Sequence, residues 1–360
     1  MIVVFSSNKI GGIVQFSLEI TKQIIALGRK AKLFLPLDAS YSQEDGLDNL
    51  IEKYSKKNSL FIHSKNNKKI IKQILSLSPD IVLFTDNTIV SSEICLLLPK
   101  SVKKIITFHD GGLFHKSSDK SLKITIHNKL ESFYSKRAGN KTNHVLLLSK
   151  HSMNNIINKN PKFSSKAIMM NLGAHIPNVK PVNPKECPFV NYLLFFGRID
   201  EYKGLEKFIQ IFNQSKLDIY FVIAGNGTLL DYAYEDIKNN HKIIFINRYI
   251  SDSEMVSLFS NSKACVLPYI EATQSGIIPI AYYYGKPVIT SNVEGLTQFV
   301  LDKKTGFICG CDDDYIKSLN VIFSDENYYK EISANCVEYY KANLDMKTNL
   351  ENMLRKIDGE

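Results

Sequence analysis

An α/β architecture with two Rossmann-like lobes in tandem follows from three features of this 360-residue sequence. Short apolar or β-branched runs alternate with helix-length amphipathic stretches, the pattern of parallel sheets covered by helices. The alternation comes in two sets, separated by a stretch with neither period in which Pro177, Pro181, Pro184 and Pro188 follow closely. The length exceeds that of a typical single core and matches about two domains.

In the first set, apolar runs predict strands at Ile2 to Phe5, Lys32 to Leu35, Leu60 to Ile62, Ile81 to Phe84, Lys104 to Phe108, Val145 to Leu148 and Ala167 to Met170. Amphipathic spacing predicts helices at Val14 to Leu27, Lys68 to Leu77, Leu122 to Ala138 and Lys150 to Asn158. Proline fixes the backbone and removes a donor, so 174–190 reads as a linker between a first domain, 1–173, and a second, 191–330. Strands of the second set fall at Tyr192 to Phe196, Tyr220 to Ala224, Ile243 to Ile246, Ala264 to Leu267 and Pro287 to Thr290. A helical tail, 331–360, is a candidate to cross back to the first lobe.

The sequence opens directly on a strand, and no run approaches the ~18 apolar residues of a membrane span, so a cytoplasmic location is expected. The six scattered cysteines (Cys95, Cys187, Cys265, Cys309, Cys311 and Cys336) lack the second pair or histidines of a zinc site and read as free thiols. Residues 1–173 hold 26 Lys and Arg against 12 Asp and Glu, whereas 174–360 hold 19 against 24. A net +14 beside −5 points to an anionic partner for the first half, nucleic acid or a membrane surface. Solvated lysine-rich faces would give the same count. Nucleic acid is disfavoured, because the basic half has no recognition motif and little aromatic interleaving.

Phe195 to Gly204, FFGRIDEYKG, sets Arg198 and Lys203 five positions apart where an apolar strand becomes a helix. Open α/β sheets bind anions at such places, and two cations there suit a diphosphate. Chance surface cations near a turn are the plain alternative. Pro268 to Gly276 forms a polar loop before a helix at Ile277 to Tyr284. There Thr273, Gln274, Ser275 and Gly276 offer amides to a phosphate, and Glu271 offers a carboxylate to sugar hydroxyls. A capping loop, with Thr273 or Ser275 as N-cap, is the competing account. Gly225-Asn226-Gly227 after a strand reads as a tight turn into the following helix, a weak signal alone, and Gly11-Gly12 resembles it in the first lobe, where phosphate approach and plain turn stand equal. His109-Asp110 ends another strand, where a histidine positions substrate, moves a proton, or makes a structural hydrogen bond.

FFGRIDEYKGLEKFI, FVIAGNG and PYIEATQSGIIPIAYYYGKPVITSNVEGL with GFIC after it resemble the C-terminal lobe of family-four retaining glycosyltransferases, over most of 192–310. In the first lobe the resemblance rests on Gly11-Gly12, His109-Asp110 and Asn171 to Gly173. It implies the GT-B fold, two Rossmann-like domains facing each other across a cleft. By position, Arg198 and Lys203 match the pair that neutralises the donor diphosphate, Gly12 a glycine loop approaching it, and His109 a histidine near the transferred sugar. Ser275 and Gly276 match loop amides, and Arg248 joins Gly11, Gly225, Asn226, Gly227, Thr273 and Gln274 in the donor-binding set. One departure stands out: the position eight after Glu271 is Pro279, and in the AxxxGKPVI register the family's second glutamate falls on Ile280.

The implied activity is retaining transfer of a sugar from a nucleotide-sugar, such as a UDP- or GDP-sugar, to a glycan acceptor. The expectation extends to bacterial O-antigen or capsule synthesis on a lipid carrier, peripheral at the inner face of an anionic membrane. No D-x-D stands at a strand end, so no metal or cofactor is expected. Asp312, Asp313 and Asp314 read as a solvated acidic helix start. A nucleotide-sugar epimerase and a catalytically silent partner subunit are the competing classes.

Overall fold

The computed structural model describes residues 1–9, 11–40, 49–54, 65–109, 122–187 and 190–359. Two compact units divide the chain: Met1–His175 with Met346–Glu360, and Ile176–Asp345. Asp110 and the strand expected at Leu60 to Ile62 lie outside the described residues.

The first unit is a seven-stranded parallel sheet: β1 (Ile2–Phe5), β2 (Ala31–Pro36), β3 (Ile51–Tyr54), β4 (Ile81–Phe84), β5 (Lys103–Phe108), β6 (His144–Leu147) and β7 (Ala167–Met169). Their spatial order is 3-2-1-4-5-6-7, which reverses between β1 and β4. Connecting helices are α1 (Gly12–Ala26), α2 (Lys65–Ser76), α3 (Ile89–Leu97), α4 (Leu122–Lys141) and α5 (Lys150–Lys159). The inner strands are unbroken apolar runs because both faces are covered. Ile2 and Val4 enter one core with α1, while Val3 and Phe5 enter the other with Ile70, Ile94, Ala138 and Ile156 of α2 to α5.

The second unit holds β8 (Tyr192–Phe196), α6 (Leu205–Ser215), β9 (Phe221–Gly225), α7 (Asp231–Lys238), β10 (Ile243–Asn247), α8 (Asp252–Asn261), β11 (Ser262–Leu267) and α9 (Ile277–Tyr283). It continues with β12 (Val288–Ser291), α10 (Glu294–Thr297), β13 (Gly306–Cys309), α11 (Asp312–Ser324) and α12 (Glu326–Tyr339). All six strands are parallel in the order 10-9-8-11-12-13, so the direction of winding reverses between β8 and β11. A π-helical turn at Tyr340–Leu344 and an extended Asp345 end α12, and α13 (Met346–Asp358) belongs to the first unit. Its Met346, Leu350, Met353, Leu354 and Ile357 join the core that contains α1.

The proline-rich segment is stitched to the second unit. Val182 donates its amide to Ser253, Asn183 accepts from Asn261, and Glu186 pairs with Arg248. Four of the labelled elements escaped the sequence reading: β3, α3, α10 and β13. Asp312, Asp313 and Asp314 form the first turn of α11, where the Asp314 carboxylate accepts from the amides of Gly310 and Cys311.

Two glycines set how closely β8 and β9 run on beyond their ladders. Gly197 and Ile199 donate amides to Ala224 and Asn226, and Ile199 bridges to Gly227. A Cβ on Gly225 would lie 1.9 Å from the Gly197 carbonyl oxygen, and one on Gly227 would lie 2.1 Å from that of Ile199. Both have positive φ, +154° and +158°. Gly225→Ala is therefore expected to cost about 3 kcal/mol, the scale of overpacking at a strained position. Urea denaturation checks this, and an unchanged midpoint would contradict the close approach.

Candidate functional site

At the β8/β11 reversal, the loops leaving the two strands are clasped together. A 3-10 turn at Glu201–Lys203 follows β8, and its Tyr202 carbonyl accepts the Ile270 amide at 2.7 Å from the loop after β11. A Cβ on Gly204 would lie 2.2 Å from the Pro268 carbonyl oxygen, and the Ser291 hydroxyl holds the Tyr269 carbonyl at 2.5 Å. Crevices at such reversals are where open α/β sheets bind ligands.

Lys203 is turned into this clasp and is 7% exposed. Its ammonium lies 5.0 Å from the Tyr269 ring centroid and 5.7 Å from that of Phe195. It stands 3.1 Å from where a Cβ on Gly197 would be, so the absence of a side chain there makes its space. Aromatic faces attract a cation but do not replace the two or more hydrogen bonds an ammonium makes in water. Among the described residues no carboxylate pairs with it. The side chain is sheltered while its ammonium keeps an open side, and no carboxylate among those residues offsets its charge.

Arg198, five residues earlier, points its guanidinium outward, 69% exposed, and its Nε pairs with Asp200. Burial works against its charge, but the Tyr202 hydroxyl and Asp200 outweigh that and hold its pKa above the ordinary value. Thr273 and Ser275 are buried, and the N-cap of α9 is Gly276 rather than either of them. Ser275 still accepts the Ile277 amide at 3.3 Å. Gln274 Oε1 is buried with no hydrogen-bond donor. Glu271 is exposed on the same loop. Pro279 takes the third helical position, where an amide has no intrahelical partner to lose.

In the first unit, the β1/β4 reversal is organised by Asp86, 2% exposed. Its carboxylate accepts from the Ser7 amide at 2.7 Å, from Asn8 Nδ2 at 3.0 Å, and from the hydroxyls of Ser6, Ser7, Thr88 and Ser91. These bonds fix the turn that leads to Gly11, at φ +87°, and Gly12, which begins α1 with open space around both. His109, 7% exposed at the end of β5, donates from Nε2 to the Thr85 carbonyl at 2.6 Å and meets the Phe16 ring edge-on. A carbonyl only accepts, so Nε2 carries hydrogen and Nδ1 is the nitrogen left for exchange.

Two expected donor contacts are engaged elsewhere. Arg248 is forked between Glu254, at 2.7 Å, and Glu186, at 3.2 Å, and Glu254 closes the capping box of α8 with Ser251. The Gly227 amide and carbonyl are both taken by the Asn247 side chain. Sequence reasoning missed Phe195 and Tyr269 as walls of the cation site and missed Asp86. Asp86 follows a predicted strand at a strand end, the signal that could have found it.

The family model described as Glycosyl transferases group 1 matches residues 185–339. Glycogen synthase of Mycobacterium tuberculosis is 27% identical over 128 residues, which are 34% of this chain and 30% of that enzyme. The chain thus spans about a third of the length of the curated relatives it matches. Among solved structures, sucrose-phosphate synthase from Thermosynechococcus elongatus superposes with a TM-score of 0.76 at 15% identity, covering 100% of this chain and 98% of that one. HepE of Anabaena in complex with UDP gives 0.74 at 14% identity, with full coverage of both chains.

The Arg248 network has a pH signature. Arg248, acting against burial, holds the Glu254 carboxyl down at about 2. A depressed carboxyl stabilises fully above its ordinary value near 4.5 and loses that contribution as pH falls toward 2. Arg248→Gln is expected to cost about 1 kcal/mol at pH 7, screened by partial exposure, and little at pH 2. Thermal melts from pH 7 to 2 check it; an equal cost at both ends would rule the pair out as its source.

Proposed function

We propose, from the match of residues 185–339 to the glycosyl transferases of group 1 and the GT-B fold of the solved structures on which the whole chain superposes, that the protein is a retaining glycosyltransferase. It moves a sugar from a nucleotide-sugar donor to a glycan acceptor. The observation that carries the reading is the ammonium of Lys203, buried against Phe195 and Tyr269 at the β8/β11 reversal with no carboxylate partner among the described residues. A diphosphate supplies the anion that this group lacks. The UDP in the HepE complex supports a UDP-sugar as the donor.

When the anomeric C–O bond breaks, negative charge grows on the departing diphosphate and positive charge on the sugar ring. Lys203 meets that negative charge beside the rings of Phe195 and Tyr269, with its position fixed before the reaction. Arg198, more exposed, adds bidentate bonds to phosphate oxygens. Both gain more from the transition state than from the bound donor, which lowers the barrier. No step of this scheme is routed through a metal. Gln274 Oε1 accepts a donor hydroxyl, which satisfies an otherwise orphaned buried acceptor.

The acceptor is a lipid-linked glycan of cell-surface polysaccharide synthesis, O-antigen or capsule, met at the inner face of the membrane. The net +14 of residues 1–173 supports that part, since each cation near an anionic bilayer contributes about 1 kcal/mol. We read the association as peripheral; among the described residues no helix is long and apolar enough to cross a membrane.

Arg198→Ala and Lys203→Ala are each expected to lower kcat by about 10² to 10³. Turnover assays with a panel of nucleotide-sugars check this, with anomeric configuration read by NMR; near-normal rates in both variants, or an inverted product, would overturn the assignment. A new sugar from donor alone would mark an epimerase.

Lys203→Met separates function from folding. A buried unpaired cation costs stability, so the ligand-free variant is expected to melt at the same or a higher temperature. Its nucleoside diphosphate affinity should fall by about 10- to 10²-fold, the worth of one charged hydrogen bond. A large drop in melting temperature with unchanged affinity would make the ammonium structural.

A further inference from the structure

We propose that the outward face of α4 is the surface by which this chain docks on an anionic lipid bilayer, an inference that rests on the membrane reading above and gives it a location. The helix is built inside out. Its inward side consists of the small residues Ser135, Ala138 and Gly139, all buried, and a Cβ on Gly139 would lie 2.5 Å from the Phe163 ring. Two of its large apolar residues, Ile126 and Phe133, are 48% and 56% exposed, whereas Leu130 and Tyr134 are half-buried. At 100° per residue they share one face with Lys129, Lys136 and Arg137, all exposed. None of these three cations pairs with a carboxylate among the described residues. Glu131, the acidic residue of α4, falls at positions on the other side.

A solvent-facing helix shows the opposite pattern, with large apolar residues inward and polar ones outward. Apolar side chains flanked by unpaired cations suit a partner with an apolar interior beneath an anionic plane, the interface of a bilayer. The cationic surface continues beyond α4. α3 packs against both α4 and α2, and α2 has no acidic residue and exposes Lys68, Lys69 and Lys72. A second copy of the chain is a poor occupant, because an isologous contact sets each face against itself and would bring these cations together.

The experiment is co-sedimentation of the full chain with phosphatidylglycerol and with phosphatidylcholine vesicles, at low and high salt. The wild-type chain should bind the anionic vesicles and be released by salt. The K129E/K136E/R137E variant should bind at least about 10²-fold more weakly, from about 1 kcal/mol for each cation. I126S/F133S should bind about 10-fold more weakly with its charge intact. K30E/K347E/K356E, with the same change of charge on exposed residues of the opposite helix layer, should lose much less. Melting temperatures report that the variants fold.

Variants of α4 that bind like the wild type while the opposite-layer variant fails would overturn this surface and leave the membrane reading standing. A wild-type chain that ignores anionic vesicles would overturn both, with sugar transfer to a soluble acceptor untouched. A dimer that Phe133→Ser dissociates would assign the face to a second copy instead.

Discussion

Burying an ammonium group is costly unless something negative or hydrogen-bonding meets it, and the second lobe is arranged around one that is met only by rings. Phe195 precedes Lys203 on the strand, Tyr269 comes from the loop after β11, and Gly197 leaves the space the ammonium fills. The Tyr202 to Ile270 hydrogen bond and the contact of Gly204 with Pro268 close these loops on one another. A folded chain thus holds a cation at a sheet reversal, where the proposed donor diphosphate would meet it.

The first lobe solves the matching position with the opposite sign and the opposite outcome. Asp86 is as deeply buried as Lys203, yet amide, amino and hydroxyl donors saturate its carboxylate. A saturated carboxylate is scaffold: it fixes the Ser6 to Asn8 turn that presents Gly11 and Gly12. The Lys203 ammonium, with no carboxylate beside it among the described residues, is left open to one. The two sheet reversals therefore differ in how many partners the surrounding loops supply to the charged group they hold.

Most strands were legible because parallel strands covered on both faces are continuous apolar runs. The exceptions have physical causes. Ile51–Tyr54 is an edge strand whose Glu52 and Lys53 face solvent, so no apolar run marks it. Ile89–Leu97 buries Ser91, Ser92 and Glu93 as well as Ile94 and Cys95, and so shows no amphipathic period; Asn67 supplies the hydrogen bond that lets Glu93 be buried. Gly306–Cys309 is an edge strand that begins on a glycine, which leaves only Phe307 and Ile308 as a bulky apolar run. Arg248 shows the limit for sites: its charge was visible, but its carboxylate partners Glu186 and Glu254 lie 62 and 6 residues away.

Alternating apolar runs, the proline cluster and the R-x4-K-G spacing by themselves determined two doubly wound lobes and a cationic pair after the first strand of the second. Those features depend on local periodicity and covalent spacing, which the chain carries wherever it goes. Tertiary structure alone decided which cation is sheltered and which is exposed, that Arg248 serves a helix cap, and that α4 turns its phenylalanine outward. Each of these depends on groups distant in sequence meeting in space, and the balance of desolvation against the partners that arrive is set only when the chain has folded.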